Sequence, residues 1–245
     1  CHLYRKTKDL HWAYRRQRKW CIRETLSYAD LDKVIPGAAR ACFFLQGQNC
    51  MAGTRLFVHK DIFETVVSGI KEMAESFKIG HGLDPEKDFG PLISDTQRKR
   101  VMSYIQSGID EGAELITGGE MVGDKGFFVQ PTIFTQIHGD MKIAKEEIFG
   151  PVLCAQSFDN NDLEAIAQQA NDTSYGLSGS VWTQNISVAH KMAMLINAGQ
   201  VSINWHAAVD PAIPFGGNKQ SGWGREFGKE GLEPYLKTKA TSVIF

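Results

Sequence analysis

A chain of 245 residues is long enough for one large α/β domain or two small ones, and its 42% hydrophobic and 22% charged residues are ordinary for a soluble globular protein. A net charge of −1 gives no electrostatic reason to expect nucleic acid or an anionic membrane as partner, and no apolar run approaches the ~18–20 residues of a membrane span. The five cysteines (Cys1, Cys21, Cys42, Cys50 and Cys154) are odd in number and lack C-x-x-C spacing. Neither a disulfide framework nor a zinc site is expected, and a reducing, cytoplasmic setting fits best.

The chain opens with Cys and not Met, as a fragment would, and carries no apolar signal segment. Residues 1–27 form a basic leader, with Arg5, Lys6, Lys8, Arg15, Arg16, Arg18 and Lys19 set against Asp9. Ordinary patterning starts near Leu26. A helix is predicted from Ala29 to about Cys42, with Asp30 as its cap and Val34, Ala38 and Ala39 on its apolar face. Arg55–Val58 reads as a short strand. Ile62–Phe77 reads as a helix, with Ile62, Phe63, Val66, Val67, Ile70, Met73, Ala74 and Phe77 at the spacing of one helical face.

Asp95–Glu111 is a further predicted helix, with Asp95 or Thr96 near its cap, and Ala113–Thr117 a strand. Phe127–Phe134 is a β-rich run broken by Pro131. Then follow strand Val152–Phe158, helix Asp162–Ala170, strand Leu177–Trp182, helix Val188–Asn197 and strand Val201–Asn204. A glycine-rich loop spans Gly216–Gly224, a short helix Gly231–Leu236, and a last strand Ala240–Phe245. Strands alternating with helices predict an α/β fold: an open, mostly parallel sheet with flanking helices.

Three stretches carry chemistry. In Phe43-Phe44-Leu45-Gln46-Gly47-Gln48-Asn49-Cys50-Met51-Ala52-Gly53-Thr54, one thiol follows a tight Gly-containing turn and precedes a strand. A lone cysteine is most often a small core residue. A thiol after such a turn can stand at the mouth of a sheet, and its thiolate is the reactive species. Cys42 and Cys154 lie in predicted core elements and read as inert. In Glu146-Glu147-Ile148-Phe149-Gly150-Pro151, paired acids before an apolar run would by themselves be a solvated helix end. The third stretch runs from Asn204, Trp205, His206 and Asp210 through Pro214-Phe215-Gly216-Gly217 to Gly224. It could be a mere surface loop, and His206 a polar residue satisfied by its neighbours.

Together these stretches resemble the aldehyde dehydrogenase superfamily, over residues from about Ala29 to Phe245, the C-terminal half of such an enzyme. The resemblance implies Cys50 as nucleophile, Glu147 on the nicotinamide ribose and Phe149 beside the nicotinamide. It implies Phe44, Trp205, His206 and Phe215 around the aldehyde, and NAD or NADP as cofactor. The implied partners are a small-molecule aldehyde and further copies of the chain, joined through 240–245; residues 28–239 would form the catalytic domain. The family's Rossmann-type cofactor domain, oxyanion Asn and general base have no match here. Trp20 to Ser27 stands where a Glu-Leu-Gly-Gly-Lys-like segment is found, and Glu24, with no Gly-Gly after it, is not assigned as the base.

Two readings remain open beside a dehydrogenase half that is inactive alone: a remnant acting only in subunit assembly, and a cofactor-free thiol esterase. Residues 1–27 also read as a frame-shifted version of the family sequence. Sequencing the DNA across codons 1–30 and upstream checks this: a neighbouring frame encoding a Gly-Gly-Lys segment is expected, and its absence would sink the idea.

Overall fold

The computed structural model describes residues 21–26, 29–159 and 162–245. Its organising element is β2 (Arg55–His59), all five of whose residues are buried. Leu56 and Val58 point into one apolar cluster and Phe57 into another, so both faces of the strand are covered. That double burial explains a run of apolar residues without alternation.

Seven strands form one sheet in the order β3-β4-β5-β2-β1-β6-β7. They are β1 (Cys21–Thr25), β2, β3 (Glu114–Thr117), β4 (Thr132–Thr135), β5 (Val152–Phe158), β6 (Ser178–Trp182) and β7 (Gln200–Ile203). All neighbours are parallel except β3, which runs antiparallel to β4 at one edge. The open, mostly parallel α/β sheet is therefore as expected.

On one face, α1 (Leu31–Phe43) and α2 (Lys60–Ser76) bury Val34, Ala38, Cys42, Val66 and Ile70 against Leu56, Val58 and Leu153. Then α3 (Asp95–Asp110) packs Val101, Tyr104 and Ile105 on Phe134 and Cys154, next to the one-turn helix α4 (Lys142–Lys145). Two further helices, α5 (Leu163–Asn171) and α6 (Ile186–Leu195), set Ile166 and Met192 against Phe57 and Val181. A two-stranded ribbon of β8 (Phe215–Gly216) and β9 (Arg225–Glu226) precedes α7 (Gly228–Leu232).

Several details depart from the sequence reading. The leader expected over 1–27 ends in a strand: Cys21–Thr25 pairs in parallel with β2 on one side and β6 on the other, at the middle of the sheet. A strand of five residues closed in by parallel neighbours needs no hydrophobic period, so composition does not reveal it. The cap of α3 is Ser94, directly before Asp95 and Thr96; its hydroxyl accepts from the Gln97 N–H at 3.2 Å. Asp30 occupies the cap position of α1 but makes no side-chain cap bond; its carboxylate lies 3.1 Å from the Lys33 ammonium. Of the β-rich run only 132–134, after Pro131, enter the sheet, as part of β4. Residues 240–245 pair with no strand among the described residues, and Val243, Ile244 and Phe245 are exposed.

Ile70 is fully buried between α1, α2 and the sheet. Its replacement by Ala is expected to cost about 2–5 kcal/mol, the range for truncating a buried aliphatic side chain. Urea denaturation should show a lower midpoint with an unchanged slope.

Candidate active site

At the end of α1 the chain turns through Phe44–Gly47 with three successive left-handed residues: Leu45 (φ 52°), Gln46 (φ 56°) and Gly47 (φ 68°). Only at Gly47 is this conformation free of cost, because Leu and Gln each bring a β-carbon against the following backbone. The turn is held from several sides. The Gln48 side-chain oxygen accepts from the Ile93 N–H at 2.8 Å. The Asn49 side chain accepts from the Met51 N–H at 3.0 Å, and the Gly53 N–H returns to the Ala41 carbonyl of α1 at 2.9 Å. Cys50 sits within this clasp, half-buried.

The other two cysteines with described side chains are buried. Burial pushes the Cys154 thiol up to about 12, so it carries no thiolate near neutral pH, in accord with its reading as inert. Cys42 is fully buried in the core under α1. Cys50 is thus the most accessible of these three thiols.

Glu147 and Phe149 lie on the turn that touches the Cys50 loop. A β-carbon on Gly47 would stand 2.1 Å from the Gly150 carbonyl oxygen, so the two backbones meet where no side chain could fit. Phe149 is itself left-handed (φ 58°) and half-buried. Three side chains of α3 fix this turn, and sequence reasoning missed all three. The Gln97 amide donates to the Ile148 and Phe149 carbonyls at 3.2 and 2.8 Å. Arg100 donates to the Glu147 carbonyl at 2.6 Å, and the Tyr104 hydroxyl donates to the Glu146 carboxylate at 2.7 Å. Their spacing of three and four residues on one helix face was the available signal. Of the paired acids, Glu146 serves the fold through Tyr104, while Glu147 is the one next to the Phe149 turn.

A cavity of about 520 Å³ opens beside the thiol loop. Asn49 and Met51, on either side of Cys50, line it together with Phe44, Trp205 and His206. Three of the four predicted pocket residues therefore share one wall space. The fourth, Phe215, does not line it. The β8–β9 ladder pairs Phe215 with Glu226, and its ring faces Phe227 at 6.5 Å. A second cavity of about 560 Å³, lined by Arg55, Glu64, Glu114 and Asp172 among others, shares no wall with the first.

His206 resolves in favour of a polar residue satisfied by neighbours. Its Nε2 lies 2.6 Å from the Met51 carbonyl oxygen, which can only accept, so this nitrogen carries the proton. Its Nδ1 lies 3.1 Å from the Ser180 hydroxyl, which in turn accepts from the Trp182 indole N–H at 3.3 Å. With the proton on Nε2, one imidazole ties the backbone next to Cys50 to β6.

Replacing His206 by Phe keeps a ring but leaves the Met51 carbonyl and Ser180 hydroxyl without this partner. A loss of about 1–3 kcal/mol in unfolding free energy is expected from thermal or urea melts. Ser180→Ala should cost less, because the Met51 bond survives.

Comparison with known proteins follows the same pattern. The sequence model of the aldehyde dehydrogenase family matches residues 25–241. The chain is 44% identical over 215 residues to an aldehyde dehydrogenase of Enchytraeus buchholzi, covering 88% of this chain and 43% of that protein. It is 43% identical over 212 residues to a mitochondrial benzaldehyde dehydrogenase of Antirrhinum majus, covering 86% of this chain and 39% of that protein. Its fold superposes on the NAD+ complex of an aldehyde dehydrogenase from Bacillus cereus with a TM-score of 0.85 and 45% identity, covering 90% of this chain and 44% of the other. The chain thus spans less than half the length of these relatives.

Proposed function

The chain belongs to the aldehyde dehydrogenase family, and on that premise we propose that it carries the nucleophile and one substrate wall of an enzyme that oxidises an aldehyde to a carboxylic acid. The observation that carries the reading is the clasp around Cys50. A half-buried thiol is held on a strained turn, with Asn49 and Met51 facing an aromatic cavity and the Glu147–Phe149 turn packed against Gly47.

In this mechanism the Cys50 sulfur attacks the aldehyde carbon and forms a thiohemiacetal. The Cys50 backbone N–H is a candidate donor to the resulting oxyanion. Loss of hydride from the former aldehyde carbon leaves a thioester, which water hydrolyses to the acid and the free thiol. The NAD+ complex among the similar structures supports NAD or NADP as cofactor, and its chemistry when bound is to accept that hydride. The residues present fit such a group on the Glu147 side. A carboxylate can accept both hydroxyls of a ribose, and an aromatic face can orient a flat ring. Gln97 and Arg100 hold the backbone that presents the two side chains.

The same reading assigns the exposed 240–245 segment to pairing with a further copy of the chain, since its backbone has no partner strand among the described residues.

Thiol mapping tests the assignment. With iodoacetamide near pH 8, Cys50 should be alkylated well ahead of Cys42 and Cys154 in the intact chain, and benzaldehyde should slow its labelling. Equal labelling of Cys50 and Cys154, with no protection by aldehyde, would falsify the reading. The 245-residue chain alone is expected to give little NADH from aldehyde and NAD+, because the resemblance places the Rossmann-type cofactor domain outside it. Steady NADH formation at 340 nm would overturn that expectation.

A further inference from the structure

We propose that Arg40 makes the cavity beside Cys50 selective for aldehydes that carry a carboxylate at the end remote from the carbonyl; this rests on the reading that Cys50 attacks an aldehyde bound there. The outer face of α1 supplies the wall. Lys33, Gly37, Arg40 and Phe44 recur at three- and four-residue steps and all line the cavity. Gly37 is needed where this face crosses β6, because a β-carbon there would stand 2.3 Å from the Trp182 ring.

The Arg40 guanidinium lies 5.8 Å from the centroid of the Phe44 ring and 6.0 Å from that of Trp205. Both rings are about half exposed, at 50% and 54%, so they form a lip and not a closed core. A guanidinium drawn to ring faces by the cation–π attraction can still present N–H donors from its edge. No carboxylate among the described residues lies within ion-pair distance of it.

The other charges on the wall do not supply this role. The Lys33 ammonium lies 3.1 Å from Asp30, so its charge is already met. Asp32 lies two helical turns before Arg40, about 12 Å away along the axis, and repels an anion from that end. Arg40, in the last turn of α1 and with no carboxylate partner among the described residues, therefore stands on an aromatic lip of the space that reaches Asn49 and Met51. A volume of about 520 Å³ admits an aromatic or medium-chain aldehyde with a terminal carboxylate. The arginine fork suits the two carboxylate oxygens.

The probes are 4-formylbenzoate and its neutral methyl ester, each used to protect Cys50 of the full chain from iodoacetamide, which is itself uncharged. The acid should reach half-protection at a concentration about tenfold below the ester, the scale of one charge-assisted hydrogen bond at a partly open site. Added salt should shrink this difference. Arg40→Gln should raise the acid's value to that of the ester and leave the ester's value unchanged, which also shows that the variant has kept its fold. Equal protection by acid and ester in the unaltered chain would overturn the proposal while leaving the Cys50 reading intact. A preference that survives in Arg40→Gln would overturn it as well, moving the selectivity to Lys33. No protection by either aldehyde would overturn both.

Discussion

Two backbones meet at Gly47 and Gly150 more closely than any side chain would permit, and the geometry around the thiol follows from that approach. The contact joins the loop that leaves α1 to the turn that leads into β5. It cannot form unless both turns are wound tightly, and the winding is visible as positive φ at Leu45, Gln46 and Phe149, none of them glycine. Such residues cost of order 1–3 kcal/mol each and persist only where their surroundings over-determine them. Here the surroundings are specific. Ile93 donates to Gln48, Gln97 donates to the Phe149 carbonyl, and Arg100 donates to that of Glu147. Helix α3 and the segment before it thus serve as the clamp that keeps the Cys50 and Phe149 turns together.

The parts of this arrangement that could be read from sequence are those with a period or a motif. The helix expected over Ile62–Phe77 is present because its apolar residues recur at helical spacing; β5 stands out because it is largely apolar and bounded by turn residues. The loop before Cys50 and the turn after Phe149 meet through Gly47 and Gly150. What could not be read depends on tertiary contact. Cys21–Thr25 is a short strand whose place is set by its two neighbours and not by its own pattern. Phe215 looks like a pocket residue in a glycine-rich loop, yet a two-residue ladder turns it toward Phe227. His206 gives no hint in sequence that Met51 and Ser180, at 155 and 26 residues' remove, satisfy both its nitrogens.

Those two hydrogen bonds change what the aromatic cavity can be. Its floor is not a loose set of side chains but the end of a relay that starts at the Trp182 indole, buried beneath α1. Because the Met51 carbonyl is held from that side and its N–H by Asn49, the backbone on the far side of the thiol has little freedom to move. The sheet thereby positions the candidate nucleophile through β6 as well as through α1. Disturbance of Trp182 packing should be felt at Cys50 although neither residue touches the other in sequence.

Helix α1 shows how a substrate wall can be chemically independent of the fold that carries it. Its inner face, with Val34, Ala38 and Cys42, is built into the largest apolar cluster, and a change there removes packing from the whole sheet. Its outer face, with Lys33, Arg40 and Phe44, meets the cavity and solvent. Exposed positions on a helix contribute little to stability as long as helix propensity is kept, so their identities are free to answer to the ligand. Arginine here complements the dipole at the end of α1, but neither the core nor an ion pair among the described residues demands it. What distinguishes it is its place over the Phe44 and Trp205 rings, on the wall of the cavity that Asn49 and Met51 also line.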